Sequence, residues 1–523
     1  MENITPLESF ITHKADTGMQ CGNYSIDLPK LEANEQYRFH FDATACVGCR
    51  CCEVACNEQN NNPADIKWRR VGEMEGGTFP DVLQLFNSMS CNHCIDAACL
   101  IGCPTESYIK FDNGIVFHDD DACIGCQYCT WNCPYGVPTY HEERKIVTKC
   151  HMCHERIDEG QSPSCVQACP SGAIMIETVN VNEWLDGDID SQGNVPQMVD
   201  ARVTNATTRF TLPEKMPDTM IQADDHHLKA FHKELPLVFM TVLTQVSLGA
   251  FLALFFGHLF SLFGLVSPTW MMATVTLIPI ALGLPLSALH LGRPIKAMSA
   301  MKNWRNSWLS REAIGLALFA LLLTANIGLY LLEVNIAFQL IFESVTLVVG
   351  VLGIYAQSMI YRITARPSWN RVTTNVKFFT SSYIGLYLFA LIALFNAMDS
   401  VVAPLLSMGL VVATVHAYAS FEEWRSLSLA REYERELSKT KALYQGPFKK
   451  IMILRIITFV FGALVLPLSA SVIMGVSIGS SMTLILSSAL VLILVSEFLD
   501  RLLFFATSVG LDMMGSFFVG KQR

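Results

Sequence analysis

The chain has 523 residues, of which 51% are hydrophobic and 16% charged, with a net charge of −10. Its mean hydropathy of +0.34 is hard to reach over this length without membrane spans. The acidic balance gives no footprint for nucleic acid, and the length exceeds that of one small domain.

Residues 1–37 open as MENITPLESF, with no apolar signal segment, and are expected to form an N-terminal extension. The next region, 38–178, holds the sixteen of the eighteen cysteines that fall into tight groups, and none occurs in the 354 residues after Cys169. They fall into four groups: Cys46, Cys49, Cys52 and Cys56; Cys91, Cys94, Cys99 and Cys103; Cys123, Cys126, Cys129 and Cys133; Cys150, Cys153, Cys165 and Cys169. The last three groups end in Cys-Pro. This is the spacing of bacterial iron–sulfur ligation, in which three close thiolates grip one cubane and the fourth reaches its neighbour. Structural zinc uses two separated pairs instead, and a disulfide framework would require an exported chain. Four 4Fe–4S clusters are therefore expected; a residue other than cysteine at position 126 would have pointed to a three-iron cluster. Cys21 and Cys51 belong to no quartet, and Cys51, between Cys49 and Cys52, reads as a bystander. Short strands near 114–117 and 173–176 alternate with helices that begin inside the cysteine loops. The expected fold is an α+β ferredoxin-like domain, a duplicated two-cluster ferredoxin.

Composition then changes. Residues 1–229 carry a net charge of −18 and residues 230–523 a net of +8. A polar stretch at 179–232, rich in Asn, Thr, Asp and Pro, is expected to run as an extended tether. Residues 233–523 hold eight apolar runs, at 236–257, 271–289, 313–333, 336–360, 378–396, 401–421, 451–474 and 481–505, each about long enough to cross a bilayer. They predict an all-α transmembrane bundle. The connections after the second, fourth and sixth runs carry Lys and Arg (Arg293 to Arg311, Arg362 to Lys377, Arg425 to Lys450), and the others carry none. By the positive-inside rule the basic loops face the cytoplasm. An even span count puts both termini and the iron–sulfur domain there too, in a multi-pass protein of the cell inner membrane.

Clusters carry single electrons, whereas a quinone carries two electrons and two protons. The membrane part must then supply proton-handling groups near the clusters. His290 and Arg293, one helical turn apart at the cytoplasmic end of the second run, and Glu312 at the start of the third are the candidates. Each has a plainer reading: Arg293 can snorkel toward phosphates, and Glu312 suits a helix N-terminus. His416 with His290 could ligate a haem. Glu497, Asp500 and Arg501 can pair with one another or with Arg455 as a structural ion cluster.

The quartet order, with Cys91-Asn-His-Cys94 and Cys123-Ile-Gly-Cys126-Gln-Tyr-Cys129, resembles the iron–sulfur subunit of the dimethyl sulfoxide reductase group of molybdenum enzymes. Glu234-Leu-Pro-Leu237, Leu289-His-Leu-Gly-Arg-Pro294, Trp308-Leu-Ser-Arg-Glu312 and Tyr361-Arg-Ile-Thr-Ala-Arg-Pro367 resemble that group's membrane anchor. The two look fused here. The resemblance implies nested cluster ligation: Cys46, Cys49, Cys52 with Cys169; Cys150, Cys153, Cys165 with Cys56; Cys91, Cys94, Cys99 with Cys133; Cys123, Cys126, Cys129 with Cys103. It implies menaquinol (or ubiquinol) contact at His290 and Glu312, and it argues against haem. It also implies a separate molybdopterin catalytic subunit, since this chain has no substrate site of its own. Electrons would run from quinol to a sulfoxide or N-oxide reductase, or in reverse from a dehydrogenase such as one for sulfite. A transporter regulated by a ferredoxin domain is the rival from another class. It would need broken spans in repeated halves, and Pro279 and Pro285 have no counterpart later in the chain.

Overall fold

The computed structural model describes residues 20–21, 24–25, 28–228, 230, 234–262, 269–396, 398–430, 434–473 and 480–513. They form two compact units, one of residues up to 123, 127–227 and from 511, the other of residues 124–126 and 228–510.

The first unit is α+β. Its central strand, Glu35–Asp42, lies between Ile174–Asn180, antiparallel, and Arg209–Thr211, parallel. Tyr37, Phe39 and Phe41 point to one side and Gln36, Arg38 and His40 to the other, and all six are buried. The polar side is satisfied by Glu177, which takes His40 Nδ1 at 2.6 Å, Arg38 at 3.1 Å and Arg209 at 3.5 Å. A second sheet pairs Arg70–Thr78 with Asp81–Met89 and adds Ile221–Gln222. Two small hairpins, Tyr108–Lys110 with Val116–His118 and Thr139–His141 with Ile146–Thr148, follow the second and third cysteine groups and repeat one design. Short helices at Cys51–Asn60, Ala98–Gly102, Tyr128–Asn132 and Ser164–Gln167 start inside the cysteine groups, as expected.

The stretch 179–232 is not the extended tether that its polar composition suggested. It turns through short helices between Val181 and Gln192 and supplies the strands at 209–211 and 221–222. Its few apolar residues are well spaced and go inside: Trp184 and Ile189 are fully buried, and Trp184 Nε1 donates to the Ala206 carbonyl at 2.9 Å. Residues 229 and 231–232 of that stretch, and residues 1–19, 22–23 and 26–27 of the expected extension, lie outside the described residues. Residues 511–513 also belong to this unit. Met513 is buried in its core, and its N–H donates to the Tyr135 carbonyl at 3.1 Å.

The second unit holds eight helices long and apolar enough to cross a membrane: Leu235–Ser261, Trp270–Ala288, Trp308–Leu331, Ile336–Ile360, Val372–Phe395, Asp399–Ser428, Lys449–Val472 and Ser481–Ala506. These are the eight expected runs, with residue 474 of the seventh outside the described set. The third begins five residues early, so Glu312 lies within its first turns rather than ahead of it. The fifth is two helices, Val372–Thr380 and Tyr383–Phe395, broken at Ser381 and Ser382. The first and fifth spans cross at glycines. A Cβ on Gly249 would stand 1.8 Å from the Ser382 carbonyl oxygen, and one on Gly385 would stand 2.2 Å from the Ala250 nitrogen. Such close backbone approach is a usual solution to packing helices in lipid.

Candidate functional site

The four cysteine loops share one local device. The residue before the second cysteine of each group (Gly48, His93, Gly125, Met152) has a positive φ, between 43° and 69°. That left-handed kink curls the short loop so that its thiols turn toward a common centre. Glycine adopts it freely; at His93 and Met152 the surrounding packing must hold it. His93 is fully buried, and its Nδ1 accepts from the Val116 N–H at 3.0 Å.

The fourth cysteine of each group lies near cysteines of another. Cys133 lines one cavity together with Cys91, Cys94 and Cys99. Cys56 lies within electrostatic reach of Cys150, Cys165 and Cys153, and Cys46 of Cys169 and Cys49. Cys103, Cys123 and Cys129 share an apolar cluster with Tyr108. Donors face the sulfurs. The Thr204 hydroxyl is 3.1 Å from Cys94 Sγ, and the backbone N–H groups of Ser107 and Met152 are 3.4 Å from Cys103 Sγ and Cys150 Sγ. Cys51 is exposed, and no disulfide forms among the described cysteines.

These residues fit iron–sulfur clusters on electrostatic grounds. Burial pushes the Cys52 and Cys153 thiols up to about 12 and Cys133 to about 11, so protein alone does not favour thiolates here. Iron would supply the positive charge that ligation by thiolate requires, and each bound cluster would take up and release one electron. Two buried cations stand among the sulfurs without a carboxylate partner among the described residues. Arg69, 2% exposed, donates to Ser88 and Ser90. Lys149, 3% exposed, donates to the Val116 and Cys150 carbonyls. Neither stands out in sequence, although a lysine directly before Cys150 was open to notice.

In the second unit, Glu312 is buried and its Oε1 accepts from Gln357 Nε2 at 3.0 Å. Gln357 Oε1 in turn accepts from Gln245 Nε2 at 3.3 Å, and Gln245 Oε1 accepts from Arg501 at 3.1 Å. The donors run in one direction, from a fully buried guanidinium toward Glu312. His290 and Arg293 do not join this chain of bonds. His290, just past the helix Trp270–Ala288, bonds the Ser287 carbonyl in that helix's last turn through Nδ1. The N–H of Arg293 donates to the Ile124 carbonyl at 3.0 Å, within the same unit, which also contains Cys126.

The ion cluster expected around Asp500 is present and larger than expected. Asp500 Oδ1 accepts from Arg455 at 3.1 Å and Lys377 at 3.0 Å, and Lys377 also reaches Glu423 at 2.8 Å. Glu497 accepts from Ser381 and Tyr383, each at 3.0 Å, and lies 3.3 Å from His416 Nε2. The other nitrogen of His416 lies 3.0 Å from the Thr380 hydroxyl, so both ring nitrogens are engaged. The break in the fifth span is what brings Ser381 to Glu497 and Arg501. A second buried group went unnoticed in the sequence. Glu343, fully buried, lies 2.9 Å from His258 Nδ1 and accepts from Tyr330 at 3.0 Å and Asn326 at 3.4 Å. Its signal was a glutamate inside an apolar run.

Comparison with known proteins accounts for both units. Residues 228–507, more than half of the chain, match the DMSO reductase anchor subunit (DmsC) family, and residues 82–179 match the 4Fe-4S dicluster domain. One polypeptide of the anaerobic dimethyl sulfoxide reductase of Escherichia coli (strain K12) is 36% identical over 170 residues, 31% of this chain and 83% of that protein. The iron-sulfur subunit of the nitrate-inducible formate dehydrogenase of E. coli (strain K12) is 32% identical over 195 residues, 34% of this chain and 63% of that protein. A subunit of the sulfite dehydrogenase of Allochromatium vinosum is 37% identical over 161 residues, 27% of this chain and 67% of that protein. The chain therefore belongs to the dimethyl sulfoxide reductase family, as an iron–sulfur electron-transfer subunit fused in one polypeptide to the membrane anchor subunit.

Proposed function

We propose that this protein carries single electrons, through four 4Fe–4S clusters, between a membrane quinone pool and a molybdopterin catalytic subunit. The observation that carries the reading is the cavity where Cys133 joins Cys91, Cys94 and Cys99. A shared wall built from two groups is what nested ligation requires and what isolated metal sites would not need. The remaining sets follow the same rule: Cys46, Cys49, Cys52 with Cys169; Cys150, Cys153, Cys165 with Cys56; Cys123, Cys126, Cys129 with Cys103.

Quinone chemistry is assigned to Glu312 and His290, with Arg293 as the third candidate. Glu312 supports this reading because it is a buried carboxylate held by hydrogen bonds rather than by a counter-ion. It can take or give a proton at Oε2 while Gln357 holds Oε1. Electrons run from menaquinol or ubiquinol toward a reductase of sulfoxide or N-oxide type. The similarity to a sulfite dehydrogenase subunit supports a second reading, in which the same wire runs from a dehydrogenase into the quinone pool. The basic loops support a cytoplasmic position for the iron–sulfur unit at the inner membrane.

The test is gentle detergent purification of the native protein, with metal analysis and mass spectrometry of what co-elutes. Co-elution of iron with a large molybdenum- or tungsten-containing partner is expected. Iron alone, with no large partner, would overturn the catalytic link and leave a self-contained quinone–ferredoxin relay. Replacing Cys133 with Ala should remove one cluster's worth of iron; full retention would overturn the nested ligation.

A further inference from the structure

Lys149 is a charge with no protein anion to answer it among the described residues. Its Nζ donates to the Val116 carbonyl and to the Cys150 carbonyl at 2.8 Å, and it lies 3.7 Å from Cys91 Sγ. These partners are two carbonyls and a thiol, with no carboxylate. The same side chain lines the cavity bounded by Cys91, Cys94, Cys99 and Cys133. An ammonium in so dry a place is costly unless an anion stands beside it. A cubane with four thiolates is a net anion, and its negative charge grows by one when it is reduced. A fixed cation at this distance therefore favours the reduced form. The neighbouring set is built differently. Buried Tyr108 packs beside Cys103 and Cys129, and His118, which bonds Cys123, has the Asp120 carboxylate 3.0 Å from its Nδ1.

Resting on the cluster assignment above, we propose that Lys149 is a positioning charge that raises the reduction potential of the cluster held by Cys91, Cys94, Cys99 and Cys133 above that of its neighbour held by Cys103, Cys123, Cys126 and Cys129. The step is the uptake and release of one electron, supplied by the quinol or the catalytic partner, with no bond made or broken. The result is a local resting place for an electron on the wire.

The experiment is a redox titration of the full-length protein in detergent, followed by electron spin resonance, with iron counted in each sample. Lys149→Gln and Lys149→Met should keep the iron and shift one signal so that reduction is at least tenfold less favourable, about 59 mV lower for a one-electron couple. Lys149→Arg should restore the parent value. Lys110→Gln is the control. Lys110 Nζ donates to the Cys94 and Ile95 carbonyls at 3.1 and 3.2 Å but is partly exposed, so water screens it and a smaller shift is expected. Unchanged potentials in both neutral variants would overturn the proposal, as would an Arg variant that shifts as far as Gln. Loss of iron from both neutral variants would overturn it too, because Lys149 would then serve assembly rather than potential. Signals missing from the unaltered protein would instead sink the cluster assignment beneath it.

Discussion

Each unit holds a knot of buried charge, and the two knots keep different company. In the iron–sulfur unit, Arg69 and Lys149 lie buried with hydroxyls, carbonyls and thiols for company. In the helical unit, the buried cations around Asp500 meet carboxylates: Lys377 has Asp500 and Glu423, and Arg455 has Asp500, while Arg501 next to them donates to Gln245 and Ser381. The Asp500 knot is thus closed on its own side chains. The knot in the iron–sulfur unit is open, and its missing negative charge is of the kind that thiolate-ligated clusters bring.

The sharpest way to break this contrast is to strip the iron. Chelation under reducing conditions should unfold the first unit, seen as rapid proteolysis within residues 38–227, while the eight helices survive. Equal resistance of both units would show that the first closes without its metal. Next comes Asp500→Asn, which strands Arg455 in the interior and leaves Lys377 with Glu423 alone. It should cost about 3–5 kcal/mol in thermal unfolding of the helical unit and leave the cluster signals intact. A shift of a few tenths would mean that water reaches the site. Glu312→Gln should slow quinol-driven cluster reduction on the order of 10²-fold with little change in stability. An unaltered rate would make the anchor purely mechanical.

The smallest effect concerns a paired charge inside the first unit. Burial raises the Glu177 carboxyl, but the hydrogen bond from His40 and the charges of Arg38 and Arg209 outweigh it and hold the group below its ordinary value of 4.5. The stabilisation it gives is therefore full above pH 4.5 and fades as the pH falls through the lowered value. Glu177→Gln should cost about 1–3 kcal/mol at neutral pH, and the deficit should shrink in acid. A deficit that does not change with pH would show that shape, not charge, is what Glu177 contributes.

What could be read from sequence alone was whatever is written locally. The cysteine quartets are close in the chain because a cubane needs three thiols on one loop, and a span is a continuous run because lipid surrounds it on all sides. Lys149, Gln245 and Gln357 escaped notice because their meaning depends on residues far away: Gln357 is 112 positions from Gln245 and 45 from Glu312. Polar residues inside apolar runs were the available signal, and Glu343 carried it as plainly as Glu312 did. The 179–232 stretch misled for the converse reason. Its average is polar, yet Trp184, Ile189 and Phe210 are single residues whose burial no window average registers.

Met513 gives the molecule a sense of time. Of the described residues, those at 511–513 are the last the ribosome makes, yet they complete a unit that is mostly synthesised before the first span emerges. Until translation has passed the eighth helix, the Tyr135 carbonyl, two residues beyond Cys133, waits for the N–H that Met513 brings. A chain stalled anywhere in its membrane half would leave that patch beside a cluster ligand wet and open to proteases. Sealing it is a receipt for the anchor, issued only when the eighth helix has been made.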